Sequence, residues 1–379
     1  MKFRYLLLLM ALVSLVACRE EDDIVSSTDS EVSGGNAHAR IKGFFLLNEG
    51  NMGNNKATLD YYDYETGVYT KNIYAERNPG VVKEMGDVGN DLQIYGDKLY
   101  AVINCSHFVE VMDVNTARHI TQISIPNCRY ITFKEGYAYV SSYAGPVAID
   151  PNARLGYIAK VDTATMAVVD TCVVGYQPEE MEIVGNKLYV ANSGGYRVPN
   201  YDHTVSVVNL DTFKEIKKID VAINLHRLET DRYGNLYVTS RGDHKNIPSN
   251  TYVIDTRTDE VVKDLKLQNT EMTLDGDSLY LYSYDYSRKT MTSAIYDVVR
   301  QQVVNTMLVD GSALNIEVPY GIAINPETKE MFMTDAKDYV TPGKLFCFDK
   351  QGNYQWSVTT GDIPGHFAFT TKKLQPIHK

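Results

Sequence analysis

With 379 residues, 44% of them apolar, the chain is long enough to bury an extensive core. Its net charge of −11 argues against nucleic acid as a partner, because phosphate backbones require clustered Lys and Arg. Only the first residues are strongly apolar, so no later segment is expected to cross a membrane.

Residues 1–17 carry Lys2 and Arg4 and then an apolar run from Leu6 to Ala17 broken only by Ser14, the pattern of a signal peptide. The run ends Leu15-Val16-Ala17-Cys18, which resembles a bacterial lipobox and predicts cleavage before Cys18 with lipid on its thiol. The acidic stretch Glu20-Glu21-Asp22-Asp23 resembles the surface-export signal of lipoproteins in the Bacteroides group. Residues 18–40 read as the lipidated Cys and a flexible tether, and residues 41–379 as a single domain. The expected location is the outer membrane, lipid-anchored and facing the cell exterior.

From residue 45 onward the chain repeats itself seven times at intervals of about 48 residues. Each unit has a Tyr-rich strand after a Gly turn, as in Leu99-Tyr100-Ala101-Val102, Leu188-Tyr189-Val190-Ala191 and Leu236-Tyr237-Val238-Thr239. A later apolar run ends in Asp63, Asp113, Asp162, Asn209, Asp255, Asp297 or Asp349, placed to cap a turn. Four strands, A to D, per unit predict an all-β fold, a seven-bladed β-propeller. The domain begins at a strand B (residues 43–47) and ends with a strand A, His366-Phe367-Ala368-Phe369-Thr370. These two ends are expected to share one blade and close the ring. Trp356 is the only Trp and no Trp-Asp dipeptide occurs, so the units resemble the Tyr-Val-Thr-Asn repeat type rather than the WD type.

In such a blade the B–C and D–A connections emerge on one pole of the ring. The A–B and C–D turns are short here, whereas the B–C segments (48–56, 104–107, 141–155, 192–203, 240–250, 283–290 and 335–343) are mostly long and rich in Tyr, Asn, Ser and Arg. Long loops on a rigid scaffold commonly carry recognition, and Tyr with Asn and Ser is the composition of adaptable binding surfaces. The candidate ligand-binding residues are therefore Asn51, Asn54, His107, Tyr143, Asn192, Tyr196, Tyr201, Arg241, Asp243, Tyr284, Tyr286 and Tyr339 from the B–C loops. The D–A connections add Arg129, Tyr176, His226, Arg227, Tyr320 and His366 toward the ring centre. Strand residues such as Tyr100 and Tyr237 are expected to pack between blades.

Cys105 and Cys128 fall on the same pole and form a possible disulfide. Cys172 and Cys347 read as buried thiols. The spacing of Cys105, His107 and Cys128 does not support a metal site. No nucleophile elbow, His-Glu-x-x-His, phosphate loop or EF-hand spacing is present. Arg241-Gly242-Asp243 resembles an integrin ligand, a tripeptide common by chance, and Asp275-Gly276-Asp277 reads as a hairpin turn. No catalytic residues and no catalytic cofactor are expected.

The opening Phe44-Phe45-Leu46-Leu47-Asn48-Glu49-Gly50-Asn51-Met52-Gly53-Asn54-Asn55, continuing through Leu59 to Gly67, resembles the start of BtuG-type proteins. So does the arrangement of lipobox, acidic signal and seven repeats, and together the likeness covers residues 18–379. The resemblance implies a surface lipoprotein that captures cobalamin or related corrinoids and passes them to a TonB-dependent outer-membrane transporter. A corrinoid, a broad amide-fringed plate, suits Asn, Arg, Asp and Tyr around a ring mouth, with peripheral hydrogen bonds favoured over a cobalt ligand from His107, His226 or His366. A glycan- or protein-binding surface module and a propeller lyase or hydrolase stay open as alternatives.

Overall fold

The computed structural model describes residues 27–81, 85–306, 308–309 and 314–376. The signal peptide and the lipidated Cys18 lie outside them. Seven antiparallel sheets follow one another along the chain, six of four strands and one of five. Their inner strands neighbour each other in a closed circle: Gly89–Tyr95, Cys128–Lys134, Pro178–Val184, Leu225–Thr230, Glu271–Asp275, Pro319–Ile324 and Pro364–Thr370. The fold is a seven-bladed β-propeller. We number the blades from 1, the blade of Gly43–Asn48, to 7, the blade of Pro319–Ile324.

Closure is as the chain ends predict. In blade 1 the C-terminal strand Pro364–Thr370 pairs with Gly43–Asn48, running from Gly43 opposite Thr370 to Asn48 opposite Pro364. Alternation along Gly43–Asn48 then serves two interfaces at once. Phe44 and Leu46 pack with Phe332 and Trp356 of blade 7, while Phe45 and Leu47 pack with Leu92 and Leu99 of blade 2. Each of the seven apolar clusters lies between two adjacent blades, so no blade has a core of its own.

The recurring acids do cap the C–D turns. Asp63, Asp113, Asp162, Asn209, Asp255, Asp297 and Asp349 each accept a backbone N–H two or three residues on. The Tyr residues of strand B, among them Tyr100, Tyr189, Tyr237 and Tyr282, are buried.

The expected tether is structured in part. Thr28–Glu31 adds a fifth strand to the outer edge of blade 1, antiparallel to Val68–Lys71, with Thr28 opposite Lys71. Thr70 Oγ1 donates to Asp29 Oδ1 at 2.7 Å, and Ser27 Oγ donates to Glu76. Glu76 belongs to the short helix Ile73–Arg77 in the D–A connection, so Thr28 sits at the loop-bearing pole.

One irregularity positions the site. Where the inner strands begin, six of the seven blades slip by one residue against strand B, the exception being blade 6. In blade 4 Pro178 faces Asn192 and Met181 faces Val190, so two residues lie where the ladder has room for one. Such a bulge frees an N–H and lets consecutive side chains turn the same way. Hydroxyls of strand B take up the freed donors. Ser141 Oγ accepts from Tyr130 N at 3.1 Å, Thr239 Oγ1 from Arg227 N at 2.8 Å, and Thr334 Oγ1 from Gly321 N at 2.7 Å. The Ser or Thr of the Tyr-Val-Thr repeat is thus the cap of the bulge.

Replacing buried Thr239 by Val keeps the shape and removes the acceptor. The expected loss is about 1–2 kcal/mol, the cost of an unpaired buried donor. A urea midpoint equal to that of the parent would contradict the capping role.

Candidate functional site

The bulges gather a set of polar side chains at the mouth of the ring, on the pole where the long loops lie. Second and third residues of the inner strands supply Asn90 and Asp91, Arg129 and Tyr130, Glu179 and Glu180, His226 and Arg227, and Tyr320, with Glu271 at the start of its strand and His366 two residues into its own. Arg129, His226, Arg227, Tyr320 and His366, expected in D–A connections, therefore belong to strands. Only Tyr176 remains in the connection itself.

Glu179 is the hub. It is 1% exposed and accepts from five donors. Arg129 Nε and Nη2 reach Oε2 at 3.2 and 3.1 Å. Arg241 Nη2 at 2.7 Å, Ser193 Oγ at 3.1 Å and the hydroxyl of Tyr143 reach Oε1. Burial opposes the charge on Glu179, but Arg129 and Arg241 outweigh it and hold the carboxyl below its usual range. The Tyr143 ring lies 4.8 Å from the Arg129 guanidinium. His226 Nε2 shares a proton with the Tyr130 hydroxyl at 2.8 Å. Burial, followed by Arg241, Arg227 and Arg129, pushes its imidazole well below the ordinary range, so His226 is neutral.

A step deeper, Arg227 serves two carboxylates. Nη1 stands 3.3 Å from Glu180 Oε1, and Nη2 donates to Glu271 Oε1 at 3.1 Å. Below these the axial channel holds a cavity of about 260 Å³ lined by Asp91, Glu180, Glu229, Glu271, Arg227 and His366. Burial raises Glu180 to about 7 and, together with the charge of Glu180, Glu182 to about 8. The mouth is cationic at its rim and acidic along its axis.

On the opposite side, across blades 6, 7 and 1, the wall is aromatic. Tyr286 is 56% exposed and its hydroxyl meets that of Tyr339 at 2.9 Å. Tyr284 packs edge-on against Tyr286 at 4.9 Å, and Tyr320 against Tyr339 at 6.0 Å. Tyr320 OH and His366 Nε2 both pair with Glu49, at 2.9 and 3.0 Å. Asn51 Nδ2 donates to the Tyr339 carbonyl at 2.8 Å, and Asn54 Nδ2 to Asn51 Oδ1 at 3.2 Å, which joins the first loop to this wall. Nearer blade 4, Arg197 lies over the Tyr176 ring at 3.5 Å, Tyr196 stands 6.3 Å from Tyr143, and Tyr201 is half-buried in the same loop.

Several expected ligand residues are instead spent on structure. Asn192 is fully buried, its amide bonded to Thr204 Oγ1, Ser206 Oγ and Gly175 N. Asp243 accepts from Lys245, Asn246 and Ile247 and closes its own loop. His107 adopts a left-handed backbone (φ 65°), and its Nδ1 accepts from Asn127 N. Cys105 and Cys128 do not form the expected disulfide; both are free thiols, and the buried Cys128 Sγ donates to the Phe108 carbonyl at 3.3 Å. Sequence reasoning missed Glu49, Asp91, Tyr130, Glu179, Glu180 and Glu271. For Asp91, Tyr130, Glu179 and Glu180 the signal was paired polar residues at the starts of inner strands, where alternation breaks; Glu49 and Glu271 carried no such signal.

Fold and mouth together define a closed seven-bladed propeller with one decorated pole. The chain belongs to the family described as "Domain of unknown function (DUF5074)", whose model matches residues 42–354. No curated protein matches it. Among solved structures it is similar to Kuenenia stuttgartiensis hydrazine synthase, with a TM-score of 0.55 and 14% identity over 69% of this chain and 77% of that one. It is also similar to the computationally designed Ika8 protein, with a TM-score of 0.54 and 12% identity over 85% of this chain and 89% of that one. At these identities the likeness concerns the fold alone.

Two predictions follow from the charges. Glu179→Gln leaves two buried guanidiniums uncompensated and should cost about 3 kcal/mol in a denaturant titration. The raised carboxyls act the other way. In the folded state Glu180 and Glu182 hold protons more tightly than an unfolded Glu, which titrates at about 4.3. Their contribution is complete below that pH and is lost as pH rises through about 7 to 8. The melting temperature should therefore fall between about pH 4.5 and pH 8 and level off above, and Glu182→Gln should flatten that slope and raise the pH 9 value by about 2 °C.

Proposed function

We propose that this protein is a non-catalytic surface module that captures cobalamin or related corrinoids at its loop-bearing pole. In this reading, lipid on Cys18 holds it at the outer membrane, facing outward, and it passes the ligand to a TonB-dependent transporter. One observation carries the proposal: a rigid mouth with an exposed Tyr wall on one side and fixed Arg, Glu and Tyr hydrogen-bonding groups on the other. A corrin plate has apolar faces for the aromatic wall and an amide fringe for the polar rim. Groups already locked by their own partners lose little entropy on binding and penalise ligands with unmatched amides. The resemblance of the residues 44–67 segment to BtuG-type proteins supports the same choice of ligand.

The exposed Tyr286–Tyr339 hydroxyl pair also suits a sugar ring, which makes a glycan module the second reading.

Size-exclusion of the purified protein with cyanocobalamin should give a coloured one-to-one complex, while a panel of simple sugars is not retained. Tyr286→Ala combined with Tyr339→Ala should weaken corrinoid binding by about tenfold or more, since each removed contact face is worth about 1 kcal/mol. The melting temperature should stay put, because Tyr286 is largely exposed. Retention of sugars without cobalamin would replace this reading by the second one.

A further inference from the structure

At the rim, two guanidiniums share one carboxylate. Glu179 is ionised and surrounded by five donors, so its lone pairs are used up, yet Arg129 and Arg241 bring two positive charges to it. One positive charge is left over. Arg129 is 13% exposed and screened by Tyr143, whereas Arg241 is 29% exposed and gives only Nη2 to Glu179. Arg241 Nε is buried without a partner, and so are His226 Nδ1 and Asn224 Oδ1 close by. Neighbouring cations add to the surplus, because Arg154 and Arg197 donate to backbone carbonyls, Ala144 in one case and Asn200 and Pro151 in the other. The nearby acids are turned to their own loops: Asp202 accepts from Tyr176 N, His203 N and Thr204, and Asp243 from three successive N–H groups. The depressed basicity of His226 comes first from burial and then from Arg241, Arg227 and Arg129.

We propose that Arg241, backed by the Arg129–Glu179 pair, is an oxyanion subsite that takes a singly charged phosphodiester. One charge matches one surplus charge, and a guanidinium whose Nη2 is fixed by Glu179 keeps Nη1 to donate to a phosphate oxygen. The acidic channel below repels an anion, so the subsite holds the phosphate at the rim. The subsite deepens the corrinoid reading, since the nucleotide tail of cobalamin is joined through a phosphodiester, but it concerns this chain's own charges and is tested without the corrin.

The test compares cyanocobalamin, dicyanocobinamide (the same ring lacking phosphodiester and base) and dimethyl phosphate against the parent protein, Arg241→Gln and Arg241→Lys, with melting curves confirming the fold. For the corrinoids, Arg241→Gln should weaken cobalamin by about tenfold more than it weakens cobinamide, with Arg241→Lys in between. Equal weakening of both corrinoids, or of neither, overturns the proposal. Dimethyl phosphate should produce a saturable shift of the Arg241 Nε resonance in the parent protein. That shift, seen where neither corrinoid binds, upholds the subsite while the corrinoid reading fails. Cobalamin and cobinamide bound equally by the parent, with no saturable dimethyl phosphate shift, sinks the subsite and leaves the corrinoid reading standing, whether or not Arg241→Gln folds.

Discussion

The mouth depends on a bulge at the start of strand A, present in six of the seven blades and capped in blades 3, 5 and 7 by a strand B hydroxyl that accepts the released N–H. A regular strand shows only every second side chain to the axis. The extra residue lets Arg129 and Tyr130, Glu179 and Glu180, or His226 and Arg227 all contribute to one site. An unpaired buried N–H would make that geometry costly, and in blades 3, 5 and 7 a Ser or Thr already placed in the repeat removes the cost. The same short motif thus builds the blade and equips the mouth.

The charges brought together in this way are arranged in layers. Two Arg on one Glu lie uppermost, one Arg between two Glu beneath them, and unpaired carboxyls deeper still. Buried ion pairs are a weak source of stability, because desolvation offsets most of the attraction. Glu179 nevertheless stays ionised, and Glu182 is pushed up to about 8 in the same channel, so the difference comes from neighbours rather than burial. A gradient from positive rim to acidic axis sorts ligands by charge along their direction of approach. Fixed dipoles and charges of this kind give selectivity more than affinity.

Much of the architecture was legible in the chain. The Gly turns, the apolar run ending in Asp and the orphan strand at each end specify seven blades and their closure, because each feature recurs with the blade. The site was harder to read. Glu179-Glu180 and His226-Arg227 break the period of two, so they look like loop, and only a bulge reconciles adjacent polar residues with a strand. Asn192 misleads in the opposite sense. It stands at the end of strand B, where Asn48 also stands, and both are buried hydrogen-bonding residues of the blade. What recurs in every blade serves the blade, and what occurs once at a corresponding position serves the site. By that rule Arg241, where blade 3 has Tyr143 and blade 4 has Ser193, stands out from its repeat.

The outer strand Thr28–Glu31 connects the site to its setting. Its antiparallel pairing with Val68–Lys71 brings Thr28 to the same pole as the long loops, next to the helix Ile73–Arg77. The covalent path from residue 18 therefore meets the disc at its decorated pole and not at the plain one. With a lipid on Cys18, as proposed, tension in that path would turn the mouth toward the bilayer and any transporter within it. Four paired residues, all exposed, form a shallow hold compared with the buried strands beneath. Release of these few bonds would free the outer strand while the seven-bladed ring stays closed.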